Sequence, residues 1–441
     1  MPVRITGRLS AAFLLLVLLA ISPAFSWRAA SAATQDSSTT ASLSICQPSV
    51  FSPYAIDQKV PLFAGICNPN DAVFDSQGNL WVADDLGRVL QFKPPFVNGE
   101  NATIVIGQKD FTSLSSNVDE STLGAVQGVA FDKDGNLWVA DQSNNRVLEF
   151  KQPFSNGMAA SLVLGHSDFT TQAPTSNPTA SSLSAPQGLT FDSNGNLWVA
   201  DRGFFRVLEF RPPFSTGQAA STVIGADNFT WSTGQRTQTS LGSPVAVTFD
   251  SKGALWVTES TGRVLEFLPP FNNGEAASIV IGKRDFTQTF QSSPNFTFLQ
   301  NPNSAAFDSS ANLWVAATDS IYGFQPPFTN GQNASVSISC PVAKLPSGTC
   351  AAPVSSSSLV FDSHGNLWAA GHSQGTGVDL TQPCCVITLP PYSEGRVLEY
   401  SSVSVPEFPA SSVGIVALAS FAGAAIVLRR FYASSPSKGH A

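Results

Sequence analysis

A repeat that recurs about every 58 residues constrains the fold of this 441-residue chain more than any other feature. A Phe-Asp pair occurs six times, at intervals of 57, 60, 58, 58 and 54 residues, and a Leu-Trp pair follows each copy. The first residues of the Phe-Asp pairs are Phe74, Phe131, Phe191, Phe249, Phe307 and Phe361. Self-similarity at a fixed period indicates that each copy is one supersecondary unit that cannot bury its apolar face alone.

Each copy is typical of four short β-strands. In the third copy we predict strands at 188–191, at Leu-Trp-Val-Ala from Leu197, at 206–210 and at 221–224. An Asp-Ser-Asn-Gly-Asn segment joins the first two strands, and Gly supplies the positive φ that a hairpin turn needs. A Pro-Pro-Phe segment precedes the fourth strand and is predicted to be a loop, because proline cannot donate to a ladder.

The predicted fold is all-β, a six-bladed β-propeller over residues 59–403. Stacking six four-stranded sheets around an axis buries the repeated Phe, Trp, Val and Leu between neighbours. A linear solenoid is the alternative, but the last copy stops after its third strand, at 396–400. The segment 59–65 (Lys-Val-Pro-Leu-Phe-Ala-Gly) resembles a fourth strand, so we expect it to close the ring.

The motifs Gly-x-x-Phe-Asp, Gly-Asn-Leu-Trp-Val-Ala-Asp and Arg-Val-Leu-Glu-Phe resemble NHL repeats. The first four copies carry the pattern. In the fifth copy Ala317 and Tyr322 are interpreted as replacing the Asp and the Arg, and the sixth has Gly371 followed by an insertion up to Gly395. The resemblance implies an NHL-like propeller, a fold that serves both binding proteins and enzymes.

The two ends of the chain are typical of a secreted, membrane-anchored protein. Residues 1–33 are predicted to be a signal peptide and 34–58 a Ser/Thr-rich lead-in. Residues 404–409, with Val405-Pro-Glu-Phe-Pro409, resemble the PEF-type sorting tails of archaeal surface proteins. Residues 410–428 are uncharged and long enough to cross a bilayer, and Arg429 begins a predicted cytoplasmic tail, 429–441. We therefore expect a single-pass protein with its propeller at the cell surface.

Cysteine and sequon usage agrees with an extracellular location. The six cysteines are Cys46, Cys67, Cys340, Cys350, Cys384 and Cys385. We expect disulfides, since these persist outside the reducing cytosol. Cys340 and Cys350 can close their own loop, whereas Cys67 or Cys46 can pair with the Cys384–Cys385 insertion; the connectivity stays open. Glycosylation sequons begin at Asn101, Asn228, Asn295 and Asn333.

Composition excludes some functions. Only 12% of the residues are charged, the net charge is -8, and no basic patch exists that could neutralise a run of phosphates, so we expect no nucleic-acid partner. Propeller enzymes that resemble this chain use histidine and carboxylate metal centres. The four histidines here show no ligand spacing, so neither a metal site nor another cofactor is predicted. The Asp-rich turns are interpreted as hairpins rather than calcium loops.

The acid after each second strand admits two interpretations. Asp84, Asp141, Asp201 and Glu259 each precede an Arg by four or five positions. These acids could form a ring at one mouth of the propeller. The favoured interpretation is an ion pair within each blade, because a specific site should break the symmetry of the repeat.

A departure from the repeat marks the candidate binding site. The third copy places Arg202, Phe204 and Phe205 in the loop between its second and third strands, and Trp231 in the next long loop. We expect these aromatic rings to be exposed, and exposed aromatic rings together with Arg are typical of interface hot spots. The same rings could simply cap the blade.

The predicted function is a membrane-anchored extracellular scaffold that binds a protein, a glycan or an envelope component. One alternative is a metal-dependent propeller lyase or hydrolase. Another is a structural component of the cell envelope or surface layer.

Overall fold

The computed structural model describes residues 43–45, 69–97, 100–172, 177–230, 234–287, 297–318, 320–339, 354–373 and 394–400. Its regular structure is all-β apart from two 3₁₀ turns, Gln142–Asn144 and Arg202–Phe204. Strands β2 to β21 form five four-stranded antiparallel sheets, each built from consecutive strands. We call these five sheets blades 1 to 5.

The strand bounds repeat from blade to blade. Blade 1 has β2 Pro69–Phe74, β3 Leu80–Asp84, β4 Arg88–Phe92 and β5 Ile104–Ile106. Blade 2 has β6 Val126–Phe131, β7 Leu137–Asp141, β8 Arg146–Phe150 and β9 Leu162–Leu164. Blade 3 has β10 Pro186–Phe191, β11 Leu197–Asp201, β12 Arg206–Phe210 and β13 Thr222–Ile224. Blade 4 has β14 Pro244–Phe249, β15 Leu255–Glu259, β16 Arg263–Phe267 and β17 Ile279–Ile281. Blade 5 has β18 Ser304–Phe307, β19 Leu313–Ala316, β20 Ser320–Phe324 and β21 Val336–Ser339.

The prediction of a six-bladed propeller is wrong in its count: five blades take four consecutive strands each. The remaining sheet, which we call the composite sheet, joins β22 Val354–Phe361, β23 Leu367–Ser373 and β24 Glu394–Tyr400 to β1 Leu43–Ile45. The last repeat supplies only three strands, so its outer position is filled from the other end of the chain. The N-terminal strand pairs antiparallel with β24, Leu43 opposite Glu399 and Ile45 opposite Val397.

The closing strand is not the predicted one. Leu43–Ile45 holds the position that the sequence assigned to 59–65, and it lies inside the predicted lead-in at 34–58. Residues 59–65 lie outside the described residues. Pairing of the two ends of the chain was therefore predicted in kind, but with the wrong segment.

Each hairpin between the first two strands depends on the Asp of the Phe-Asp pair. Asp192 Oδ1 accepts the backbone N–H groups of Asn194 and Asn196, each at 2.9 Å. Its Oδ2 accepts the Asn196 amide at 2.8 Å and the indole N–H of Trp198 at 3.2 Å. Gly195 has φ +80°, which the turn requires and which most residues avoid. The turn thus fixes the position of the repeated tryptophan.

That tryptophan packs each blade against the next one. Trp198 of blade 3 meets Phe249 and Phe271 of blade 4 edge-to-face, with ring centroids 5.8 and 4.9 Å apart. Its side chain is fully buried, as are those of the other five repeated tryptophans. Edge-to-face aromatic pairs contribute about 0.5–1.5 kcal/mol beyond the area they bury. The core therefore lies between sheets.

The composite sheet closes the ring by the same contact. Its Trp368 packs edge-to-face against Phe74 and Phe96 of blade 1, at 5.5 and 5.3 Å. The first strand of each sheet contacts the first strands of both neighbours, from β2 through β6, β10, β14 and β18 to β22 and back to β2. We call these the inner strands; they surround the propeller axis.

The predicted signal peptide, 1–33, and the predicted membrane span, 410–428, lie outside the described residues. Within the described ranges, no helix is long and apolar enough to cross a membrane.

Candidate functional site

A cavity of about 610 Å³ lies on the propeller axis and is lined by the inner strands. We call it the axial cavity. Arg202 and Ser260 line one end of it. The residue before each of them pairs with the first residue of an inner strand: Asp201 with Pro186, and Glu259 with Pro244. We call this end the Arg202 mouth. The volume lies within the range of small-molecule sites, about 300–1,000 Å³.

Each sheet places on this lining one residue near the start of its inner strand. The pairing register shifts around this position in five of the six inner strands, β18 being the exception. A bulge re-aims a side chain relative to the regular alternation. The lining residues at this position, four before each repeated Phe, are Asn70, Gln127, Gln187, Val245, Asn303 and Ser357. Four of the six are carboxamides.

Two of these carboxamides have no hydrogen-bond partner among the described residues. Gln127 is half-buried, and Gln187 has only 9% of its surface exposed. They lie on blades 2 and 3, whose inner strands pack side by side. By contrast, the Asn70 amide donates to the Val126 carbonyl at 2.8 Å. The axial cavity therefore contains neutral donors and acceptors that the protein itself does not use.

The next position along each inner strand is small, with one exception. A Cβ at Gly128 would lie 2.3 Å from the Gln187 carbonyl oxygen, and one at Gly188 would lie 2.7 Å from the Ala246 Cα. Neighbouring backbones come too close there for a longer side chain. The residues at this position are Asp71, Gly128, Gly188, Ala246, Ser304 and Ser358. Asp71 breaks the symmetry of the ring.

Asp71 bridges three inner strands. Its Oδ1 accepts the Ala72 backbone N–H at 2.9 Å and the Ser358 hydroxyl of the composite sheet at 2.5 Å. Its Oδ2 accepts the Val129 backbone N–H of blade 2 at 2.9 Å. Loss of bulk water around this carboxyl raises its pKa from 3.8 to about 6, and the three hydrogen bonds counteract only part of that effect.

The predicted binding residues are only partly brought together. Arg202 is exposed at the mouth and donates from Nε to the Ser243 hydroxyl at 3.1 Å. Phe204 and Phe205 are half-buried rather than exposed. The ring of Phe204 lies 5.1 Å from the Arg206 guanidinium. Trp231 lies outside the described residues.

The acids after the second strands form ion pairs within their blades, as the favoured interpretation predicted. The pairs are Asp84–Arg88, Asp141–Arg146, Asp201–Arg206 and Glu259–Arg263, all buried. Arg206 also donates to the carbonyls of Phe229, Thr179 and Ser182, so it ties two loops to the blade. Burial raises the pKa of Asp201 to about 6 against the opposing effect of Arg206. These acids are engaged in structure and do not line the axial cavity.

The fifth blade lacks this pair, but the replacement was misassigned. Pairing Leu313 with Phe324 puts Tyr322 opposite Val315, the position that Leu208 holds in blade 3. By the same register Ser320 takes the place of the Arg and Ala317 that of the Asp. The loop between them has two residues, against four between Asp201 and Arg206, and this difference shifted the sequence alignment.

No group of three or more His, Cys, Asp or Glu side chains that could hold a metal occurs in the part of the chain that the structure describes. The Asp of each hairpin turn uses its carboxylate to accept N–H donors. All six predicted disulfide cysteines and the sequon residue Asn295 lie outside the described residues. The sequon residues Asn101, Asn228 and Asn333 are exposed.

The residues that sequence reasoning missed are Asp71, Gln127 and Gln187. Aligning the six copies on their Phe-Asp pairs would reveal the signal. A polar residue recurs four positions before the Phe, and one acid occurs in a column of Gly, Ala and Ser.

Comparison with known proteins supports the repeat assignment. The family model described as NHL repeat matches residues 125–150, which span β6 to β8 of blade 2. No curated protein matches the chain.

Several solved structures are similar at low identity. A catalytically inactive virginiamycin B lyase from Staphylococcus aureus is 10% identical, with a TM-score of 0.42, over 75% of this chain and 95% of that one. The extracellular domain of a putative hybrid two component system from B. thetaiotaomicron is 15% identical, with a TM-score of 0.43, over 71% of this chain and 33% of that one. A putative gluconolactonase is 12% identical, with a TM-score of 0.42, over 78% and 91%. The repeat match and the arrangement of the sheets identify this chain as a β-propeller that contains an NHL repeat.

Proposed function

We propose that this protein is an extracellular binding module that takes its ligand at the Arg202 mouth of the axial cavity. The observation that carries the proposal is the loss of symmetry there. Asp71 lies on the cavity lining at a position where the other repeats carry Gly, Ala or Ser, and Arg202 is a cation at a position that is Asp85 in blade 1 and neutral in blades 2, 4 and 5. A site that recognises one ligand must differ from a ring of equivalent blades.

The remaining charged groups of the repeat have structural partners. The four acid–arginine pairs hold loops to their blades, and the turn acids hold the tryptophans. What the fold leaves available is the neutral polar lining, one carboxylate and one guanidinium. That set can orient a ligand by hydrogen bonds, which favours recognition over chemistry.

The extracellular placement is part of the proposal. It is supported by the sequence of the two ends, which are typical of a leader and an anchor, and by the exposure of three sequon asparagines. We infer that the propeller lies at the cell surface. The ligand would then be a protein, a glycan or another envelope component.

Capture of surface material by the immobilised full chain tests the proposal. Wild type and Arg202→Ala would be exposed to the same cell-surface extract, and the bound material identified by mass spectrometry. Because Arg202 is exposed at the mouth, we expect its loss to weaken capture without unfolding the protein.

Lys252→Ala is the matched control. It removes one exposed cation from a hairpin turn of blade 4, at the other end of the propeller. The proposal requires material that wild type and Lys252→Ala retain and Arg202→Ala loses. Equal capture by all three proteins, or no capture by any, would overturn it.

A further inference from the structure

We propose that the ligand of the axial cavity is a neutral saccharide, bound through the carboxamides of Gln127 and Gln187 and the carboxylate of Asp71. This inference rests on the proposed binding function and names its ligand class. Three observations support it: two carboxamides without protein partners, one carboxylate with an open acceptor position, and a roomy polar cavity.

The carboxamide of Gln187 is the strongest indication. The residue is 9% exposed, lines the axial cavity and makes no side-chain hydrogen bond among the described residues. Its amide atoms reach solvent in the cavity, since they are not among the buried unpaired polar atoms of the described residues. Gln187 could have folded onto a neighbour, as Asn70 does with Val126. Its donors and acceptor are therefore available to a ligand in the axial cavity.

Gln127 supplies a second carboxamide from the adjacent inner strand. Both residues occupy the bulge position, where the register shifts between Val126 and Gly128 in β6 and between Pro186 and Leu189 in β10. The bulge places two equivalent amides on the same lining. Each offers two N–H donors and one carbonyl acceptor, which suits hydroxyl groups that both donate and accept.

Asp71 contributes an acceptor of fixed orientation. Its Oδ1 already accepts two hydrogen bonds, whereas Oδ2 accepts one, from Val129. Oδ2 therefore retains one acceptor position, and Asp71 keeps part of its surface on the cavity. A carboxylate that accepts from a sugar hydroxyl forms a charge-assisted hydrogen bond, stronger than a neutral one.

The charges of the lining select a neutral ligand. Asp71 and Arg202 are the charged residues on the described lining, with opposite signs, and Arg202 is at the mouth. An anionic ligand deep in the cavity would meet the Asp71 carboxylate, which is held by Ser358 and Val129 and cannot turn away. Thr190 and Thr248, which are neutral, also line the cavity.

The experiment uses the purified full chain and named sugars. Glucose, galactose, mannose and N-acetylglucosamine, with a β-linked disaccharide of each, are titrated by isothermal calorimetry and by saturation-transfer NMR. We expect at least one sugar to bind saturably, one per chain. Gln187→Leu should weaken that binding by about tenfold or more, because the hydroxyls it leaves unpaired stay buried.

Gln77→Leu is the matched control, since Gln77 is an exposed glutamine in the hairpin turn of blade 1, away from the mouth. Binding kept by Gln77→Leu and lost by Gln187→Leu supports the site. A sugar bound equally by both variants, or no sugar bound by wild type, overturns it. If wild type binds none of these sugars yet captures surface material in an Arg202-dependent way, the saccharide inference fails while the binding function stands.

Discussion

At the scale of single residues, the inner-strand position three residues before each repeated Phe serves two purposes. Where it carries Gly128 or Gly188, neighbouring backbones approach closely. Where it carries Asp71 or Ser304, the side chain accepts the N–H of the following inner strand, from Val129 in one case and from Leu359, at 3.0 Å, in the other. Side chains of this kind lie on both sides of the composite sheet. We infer that these two side chains help to hold the composite sheet between its neighbouring blades.

Asp71 makes the free energy of unfolding decrease as the pH rises from about 4 to about 6. The pKa of its carboxyl is raised from 3.8 to about 6, so the folded chain holds that proton more tightly than the unfolded chain. The stability that this group contributes is fully present below about pH 4 and is lost as the pH rises to about 6. The loss is on the order of 2–3 kcal/mol.

Replacing Asp71 with Ser isolates this effect, because Ser304 shows that a hydroxyl can accept the N–H at this position. Urea unfolding midpoints measured from pH 4 to pH 7 should fall in wild type relative to Asp71→Ser. Other buried acids, such as Asp201, titrate equally in both proteins and cancel from the difference. Parallel pH profiles would show that Asp71 is not the titrating group.

Residue-scale features were the hardest to predict from sequence. Tyr322 was placed where Ser320 lies, because only strand pairing reveals that the loop of blade 5 is two residues shorter. Phe204 and Phe205 were expected to be exposed, but they are half-buried. Asp71 is one acid at a position where the other repeats carry Gly, Ala or Ser. Its role depends on a hydrogen bond from Ser358, which lies nearly 290 residues away in the sequence.

At the scale of strands, the sequence predicted most of the blade correctly. The third strand of blade 3, 206–210, has its predicted bounds, because an alternating apolar pattern ends at Pro212. The first strand begins at Pro186, two residues earlier than predicted. The β-bulge that follows Pro186 interrupts the alternation on which the prediction relied.

The ion pair at the end of the second strand makes an element-scale prediction. Asp201→Ala should lower the free energy of unfolding by about 3–5 kcal/mol, because it leaves the Arg206 charge buried without its partner. The double variant, with Asp201→Ala and Arg206→Met together, should lose much less free energy of unfolding than the sum of the losses in the two single variants. Blade 5, with Ala317 and Ser320 at these positions, shows that the fold accepts a blade without the pair.

A double-mutant cycle by urea unfolding measures this coupling. The exposed pair Lys133–Asp134, with side chains 72% and 68% exposed, is the control. A cycle with Lys133→Met and Asp134→Ala should give no measurable coupling, since water screens the charges. Additive effects at Asp201 and Arg206 would mean that the buried pair contributes no more than the exposed one.

At the scale of the whole molecule, the repeat predicted the propeller but not how its ends meet. Fully buried Trp and half-buried Phe residues that recur in step indicate sheets that stack on their neighbours, in a ring or in a linear solenoid. The missing outer strand of the last repeat was also evident. Its replacement, Leu43–Ile45, is too short for any periodic pattern, whereas residues 59–65 resemble the fourth strands of the other repeats.

Closure by Leu43–Ile45 can be tested by weakening this strand. Replacing residues 43–45 with Gly-Ser-Gly should lower the midpoint of thermal unfolding by several degrees, because glycine within a strand weakens it and with it the pairing to β24. Trp368, which joins the composite sheet to blade 1, should become more accessible to fluorescence quenching. The same replacement at 61–63, within the segment first expected to close the ring, is the control and should change both readings less. If the control unfolds earlier than the variant at 43–45, the closing strand has been assigned to the wrong part of the N-terminal region.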